Sequence, residues 1–202
     1  MRKLLFVFIL IGYGLSSVQA AEGKPVYKWV SANEYYLIMP AVQRLDVAGY
    51  HESVNPWGFG FRAVGHETFS KTGGLQLQSI KVDTPRTGKD TVYLWDLMLG
   101  MGYIAPKVEG KLLRFTVSAF ADLGMCDTTL YMAPVISAGM LYTTDELAVT
   151  PTGFTFDVYY RLTDIDLNNA GGGNAGTLKP ALGFKVGYIF EGFWTTKEKS
   201  KD

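Results

Sequence analysis

The chain has 202 residues, with 19 basic against 19 acidic side chains, a single cysteine, and a heavy load of 23 Gly, 12 Tyr, 12 Phe and 4 Trp. A balance this close to neutral removes the usual electrostatic motive for binding nucleic acid, which rests on a basic patch or stripe. One cysteine, Cys126, excludes an internal disulfide, so the fold must be held by packing or by a closed sheet.

Residues 1–20 read as a cleavable signal peptide: Arg2 and Lys3, an apolar run from Leu4 to Gly14, then the small-residue exit Ser16-Ser17-Val18-Gln19-Ala20. The run is too short to cross a bilayer as a helix, which takes about 20 residues. Cleavage after Ala20 removes Arg2 and Lys3, leaving 17 basic against 19 acidic residues, a net charge near −2. Residues 21–34 form an extended, polar N-terminal segment.

From there the periodicity is that of strands. The first is expected over Tyr35 to Asp46, its parity blurred by Pro40. The second, Trp57 to Ser70, sets Trp57, Phe59, Phe61, Ala63 and Phe69 against Gly58, Gly60, Arg62 and His66. Lys71-Thr72-Gly73-Gly74 reads as a tight turn, Leu75 to Val82 as a short third strand, and DTPRTGKD as a polar loop. The fourth, Thr91 to Tyr103, carries Tyr93, Trp95, Leu97, Leu99, Met101 and Tyr103 on one face and Asp96, Met98, Gly100 and Gly102 on the other. The fifth, Leu112 to Ala121, opposes Leu113, Phe115 and Val117 to Arg114, Thr116 and Ser118. The sixth, Thr129 to Tyr142, groups Leu130, Met132, Ile136, Met140 and Tyr142 but is apolar on both parities. The seventh, Gly153 to Asp164, sets Phe154, Phe156, Val158 and Tyr160 against Thr155, Asp157, Tyr159 and Arg161. After a Gly/Asn-rich loop, Asp166 to Thr177, the eighth strand, Leu178 to Trp194, alternates Leu182, Phe184, Val186, Tyr188 and Phe190 with Gly183, Lys185, Gly187 and Glu191.

Eight two-faced strands with alternating short and long joins predict an all-β, up-and-down antiparallel barrel over residues 35–194. The pattern is that of a transmembrane barrel with both termini periplasmic, followed by a charged tail, 195–202. Closure has a physical motive, because lipid offers no partner to the backbone groups of an open sheet edge. The inward parity then collects a lumen network of Arg62, Asp96, Arg114, Asp157, Arg161, Lys185 and Glu191. Trp57, Tyr93 and Trp95 would mark one interface girdle, and Tyr103, Tyr142 and Trp194 the other. Periodicity alone also allows the inverse, a soluble lipid-carrying barrel with its oily parity inside.

The signal peptide, the eight segments, the loop alternation and the closing strand together resemble the small eight-stranded outer-membrane β-barrel proteins. That group contains the OmpA transmembrane domain, OmpX, OmpW and the opacity-type proteins. The family's closing-strand assembly signal is matched in part by Lys185, Gly187, Phe190 and Trp194. Gly192 stands where a hydrophobic residue is usual, and Thr195 to Asp202 extend past the aromatic at which the family commonly stops.

The resemblance implies an integral outer-membrane protein without enzymatic activity. Its partners would be outer-membrane lipid, the barrel-assembly machinery, and a small hydrophobic ligand or a host surface molecule. An uptake role predicts an apolar pocket opening outward, lined by Met98 and Met132.

Three features need separate reading. His51-Glu52-Ser53 has the His-x-Ser spacing of a base and nucleophile on one strand face, and barrel-embedded lipid A deacylases use such a pair; here it falls in a first loop with no supporting acid. His66 reads as a hydrogen-bonded lumen residue, and the two histidines give no metal spacing. Cys126 is expected in or beside the third outer loop, and Asn168 to Gly176 as an exposed loop. No cofactor motif occurs; GGGNAG lacks the lysine and helix of a phosphate loop.

Overall fold

A computed structural model describes residues 27–29, 31–47, 50–65, 69–82, 90–106, 111–126, 129–143, 152–167, 176–191 and 196–197. The signal peptide, His66, Trp194 and most of the 168–176 loop lie outside the described residues. In chain order the strands are β1 (Tyr27–Trp29), β2 (Ser31–Met39), β3 (Gln43–Val47), β4 (Tyr50–Val54), β5 (Trp57–Gly65), β6 (Phe69–Lys81) and β7 (Thr91–Ile104). They continue with β8 (Leu113–Cys126), β9 (Thr129–Thr143), β10 (Gly153–Arg161), β11 (Ile165–Asp166), β12 (Thr177–Leu178), β13 (Leu182–Glu191) and β14 (Thr196–Lys197).

Eight of them close into an antiparallel barrel in the order β10-β13-β2-β5-β6-β7-β8-β9. The register fixes its shape. From Tyr36, one path around the wall runs through Gly60, Gln76, Asp96 and Gly124 to Tyr131. The other runs through Gly187 and Thr155 to Leu141. The two ends lie on β9, displaced by the 10 residues from 131 to 141, so the sheet has a shear of 10. That is a steeper stagger than the shear of 8 in the other familiar eight-stranded barrel, and the interior remains one that side chains fill.

The apolar parity points outward on every barrel strand. On β7, Tyr93, Trp95, Leu99, Met101 and Tyr103 are exposed while Val92, Leu94, Asp96, Met98 and Ile104 are buried. The same alternation exposes Leu130, Met132, Ile136, Met140 and Tyr142 on β9, where the sequence left the faces undecided. The inverse barrel, oily inside and charged outside, is not the one this chain forms.

Several expected boundaries shift. The first barrel strand starts at Ser31 and stops at Met39, because Pro40 cannot donate to the ladder; residues 43–47 belong to a different sheet. The expected turn at Lys71-Thr72-Gly73-Gly74 is instead mid-strand, with all four residues paired to β7. Gly74 serves close packing between strands: a Cβ there would lie 2.2 Å from the Phe61 carbonyl oxygen. Cys126, expected in or beside the third outer loop, is the last residue of β8, beside that connection, inward and buried.

A feature absent from the sequence reading closes one mouth. Strands β11, β12, β3 and β4 make a four-stranded sheet, β11-β12-β3-β4, at the barrel end opposite the termini. The barrel strands flanking it, β2, β5, β10 and β13, have 9 or 10 residues, whereas β6 to β9 have 13 to 15. The cap therefore occupies the low side of the rim and packs on the tall wall. Its Leu45, Val47, Val54, Ile165 and Leu178 share one apolar cluster with Ile80, Val92, Leu94, Cys126 and Ala133 of the wall. At the other end β1 pairs with β14, so the two ends of the described chain meet below the barrel.

Candidate functional site

The lumen is the concentration of polar chemistry in the molecule, and it is layered along the barrel axis. Nearest the termini lies an apolar floor of Ala32, Val64, Ile104, Leu141 and Ile189.

Above the floor sits an ion cluster. Glu34 on β2 and Asp157 on β10, 1% and 3% exposed, both take hydrogen bonds from Arg62 on β5. Arg62 Nε donates to Glu34 Oε2, and its Nη2 donates to Asp157 Oδ2 at 2.7 Å. Thr155 Oγ1 donates to Glu34 and Thr116 Oγ1 to Asp157, so each carboxylate has a second donor. A cavity of about 30 Å³ lies between this cluster and the floor, room for one or two waters.

In the middle stands Lys185 of β13. Its Nζ lies 4.6, 5.0 and 4.9 Å from the ring centres of Tyr36, Phe120 and Tyr159, and donates to Gln76 Oε1 at 3.2 Å. Three aromatic faces around a desolvated ammonium replace part of its lost hydration by cation–π attraction. The rings can enter the lumen because small residues stand directly opposite. Tyr36 faces Gly60, Tyr159 faces Gly183, and, one layer up, Tyr131 faces Gly124. A Cβ on any of these glycines would come within 2.0–2.3 Å of the tyrosine ring. Each tyrosine thus lies flat across the neighbouring strand.

The upper layer contains a second acid set. Gln76 Nε2 donates to Asp96 Oδ2 at 2.9 Å and to Asp122 Oδ2 at 3.2 Å, and Gln78 Nε2 donates to Asp96 Oδ2 at 3.1 Å. The Tyr131 hydroxyl donates to Asp96 Oδ1. Arg161 is fully buried in this region, 2% exposed, and its Nη1 makes no hydrogen bond among the described residues. Above lies the apolar cluster under the cap.

Of the residues expected in a lumen network, Arg62, Asp96, Asp157, Arg161 and Lys185 are inward and buried or nearly so. Arg114 shares the inward parity of β8 but stands partly buried at the terminal rim, where its Nε donates to the Ala105 carbonyl at 2.7 Å. Glu191 ends β13, but its side chain lies outside the described residues. Met98 faces the lumen, whereas Met132 is 65% exposed on the outer wall and cannot line a pocket within. Sequence reasoning missed Glu34 and Asp122 because it cut their strands at Tyr35 and Ala121, one residue short in each case. Both continue the inward parity of Tyr36 and of Ser118, a signal that was present.

The expected girdle residues are outward and exposed: Trp57, Tyr93 and Trp95 near the cap, Tyr103 and Tyr142 near the termini. Rings also pair along the outer wall, Tyr35 with Phe61 at 5.0 Å and with Phe190 at 5.6 Å, and Phe154 with Tyr188 at 5.1 Å.

His51 and Ser53 lie on β4 of the cap, not in a loop, and both are exposed. The structure supplies the acid that the sequence did not place: Asp46 Oδ1 is 2.7 Å from His51 Nδ1. However, Arg44 Nη2 lies 2.9 and 3.0 Å from the two ring nitrogens, and no hydrogen bond joins His51 to Ser53 among the described residues. The arrangement is an ion cluster across the cap. Asp46 accepts from Arg44 Nε at 2.6 Å and lies 3.7 Å from Lys179, which in turn donates to Asp164 at 2.7 Å. The Arg44 hydrogen bond, with help from His51, holds the Asp46 carboxyl below the usual carboxylate range, and Asp164 raises Lys179. Because Arg44 and Asp46 are on β3 and Lys179 follows β12, the cluster links the two cap hairpins.

No protein-family model and no curated protein matches this chain. Among solved structures it is similar to the crystal structure of the outer membrane protein OprG from Pseudomonas aeruginosa, at 12% sequence identity and a TM-score of 0.39, over 80% of this chain and 94% of that one.

Proposed function

We propose that this chain is an integral outer-membrane β-barrel, non-enzymatic, that anchors a rigid capped rim at the cell surface and serves surface integrity or contact rather than conduction. One observation carries the reading: on all eight barrel strands the outward parity is made mainly of large exposed apolar side chains, while the charged side chains of the barrel wall, Lys71 and Lys81 of β6 apart, belong to the inward parity of a packed lumen. In water that surface would be an aggregation hazard; in a bilayer it is the lipid belt with its aromatic borders. With both chain ends at one mouth, the family topology would put β1 and β14 in the periplasm and the cap outside.

The lumen supports a barrier over a pore. The ion cluster, the Lys185 cage and the apolar layers fill it in succession, and the outer mouth where a small hydrophobic ligand would enter is taken by the cap cluster. Outer-membrane lipid is then the constant partner. The barrel-assembly machinery would meet the closing strand through Lys185, Gly187, Phe190 and Trp194 before the sheet closes.

Cell fractionation with heat-modifiability on gels tests placement, and planar bilayers test the barrier. A heat-modifiable band in the outer-membrane fraction with no steady conductance is expected. A freely soluble protein would contradict the membrane reading; stable channels would contradict the barrier.

A further inference from the structure

The outward face is not evenly filled. Most positions on it carry large side chains, but Val117 of β8, Ala138 of β9 and Val158 of β10 lie side by side in the register. This row of small side chains floors a hollow of about 630 Å³ on the outer wall, with Phe69 and Met101 on one side and Tyr160 on the other. The lining is largely apolar, and the volume falls within the range of about 300–1,000 Å³ typical of small-molecule sites.

A charge stands at its edge. Lys71 of β6 is exposed on the outward parity, two residues along the same face from Phe69 and directly opposite Met101 in the ladder. Residues opposed in this way have Cβ atoms about 4.5–5.5 Å apart, so the lysine stem starts at the rim of the hollow. An ammonium on a lipid-facing wall is costly unless its stem runs along the apolar surface and its head reaches the interface. The interface is near, because β6 begins at Phe69, at the barrel end where β5 finishes against Ser31 and the chain termini lie.

We propose that this hollow seats one acyl chain of an anionic phospholipid whose phosphate pairs with Lys71, in the leaflet at the terminal end of the barrel. The inference rests on the reading of the outward face as a lipid belt. Two features select the occupant: an apolar groove open to the bilayer takes hydrocarbon, and a cation at its edge favours a negative headgroup. A second barrel fits less well. Among the described residues the outward parity of the wall carries Lys71 and Lys81 but no carboxylate, so another copy's wall brings Lys71 no partner charge. Lys81 is an internal control, since it ends the same strand at the cap side and pairs with Thr91, outside the lining of the hollow.

The test uses the full mature chain in detergent micelles, titrated with palmitoyl-oleoyl phosphatidylglycerol or phosphatidylcholine, with bound lipid counted by native mass spectrometry. Flotation with phosphatidylcholine vesicles is scored first. A chain that stays out of the vesicles overturns the lipid-belt reading and the site with it, whereas a chain that floats but does not distinguish the two lipids overturns the site alone. The expected result is one tightly held lipid, with phosphatidylglycerol favoured about fivefold. K71M should equalise the two lipids, A138F should weaken both by filling the hollow, and K81M should change neither. A preference that survives K71M, an equal loss in K81M, or unchanged binding in A138F overturns the proposal. So does a native dimer that A138F dissociates, which would give the hollow to a second copy. Positions 71 and 138 face outward; should either variant fail to fold, K71Q or A138L takes its place.

Discussion

Replacing Arg62 with Met is the sharpest perturbation of the lumen. The side chain is 11% exposed and joins Glu34 to Asp157 in the lumen, so its loss leaves two buried carboxylates with Thr155 and Thr116 as their side-chain donors among the described residues. Breaking a buried pair from one side costs about 3–5 kcal/mol, chiefly through the charge left behind. Here two carboxylates are stranded, which puts R62M at the upper end of that range. Adding E34Q and D157N removes the stranded charges, and the triple variant should regain most of the loss. Reversible urea unfolding in phospholipid vesicles measures both steps. A cost below about 1 kcal/mol for R62M, or no recovery in the triple variant, would refute a dry, packed ion cluster and indicate a lumen open to water.

Three further outcomes follow from other layers. Gly183→Ala places a methyl 2.2 Å from the Tyr159 ring and should cost about 1–3 kcal/mol by overpacking, with much of it recovered when Tyr159 is cut back to Leu, as vesicle unfolding of both variants would show. Leu99→Arg, outward on the middle of β7, should cost about 2–4 kcal/mol in a bilayer and nothing comparable if that face meets water. The Asp46 carboxyl is held low by Arg44, so its contribution to the cap is present above the unfolded carboxylate range and is lost as pH falls through the lowered value. Hydrogen exchange should therefore show the β3–β12 pairing weakening in acid while the amides of β6 to β9 stay protected, and D46N should abolish that pH dependence.

The barrel was legible because its information is local. Alternation along 91–103 or 153–161 decides which side chains share a face, and on those strands the observed faces agree residue by residue. What was hidden depends on neighbours distant in sequence. Gly73 and Gly74 look like a turn until strand pairing places both mid-strand, with the backbone of β5 pressed against Gly74. Residues 47–54 and 166–177 look like loop, since neither hairpin has a core alone; the cap strands β3, β4, β11 and β12 form only on each other and on the tall wall. In the same way, Tyr36 opposite Gly60 is two unremarkable residues 24 positions apart until the register joins them. The candidate site divides likewise: its cations were visible as charged residues on an apolar strand, whereas Glu34 and Asp122 fell just beyond strand ends drawn where the apolar run faded.

The central claim is that the apolar parity faces lipid and the polar parity a packed interior. Spin labels placed singly at 93 through 103, in a Cys126→Ala background and reconstituted in vesicles, test it by collision with oxygen, which concentrates in lipid, and with a water-soluble nickel chelate. The account predicts high oxygen and low nickel accessibility at 93, 95, 97, 99, 101 and 103, with low accessibility to both reagents at the intervening positions. Strong nickel accessibility at 94, 96 and 98, or oxygen accessibility on that parity instead, would contradict it.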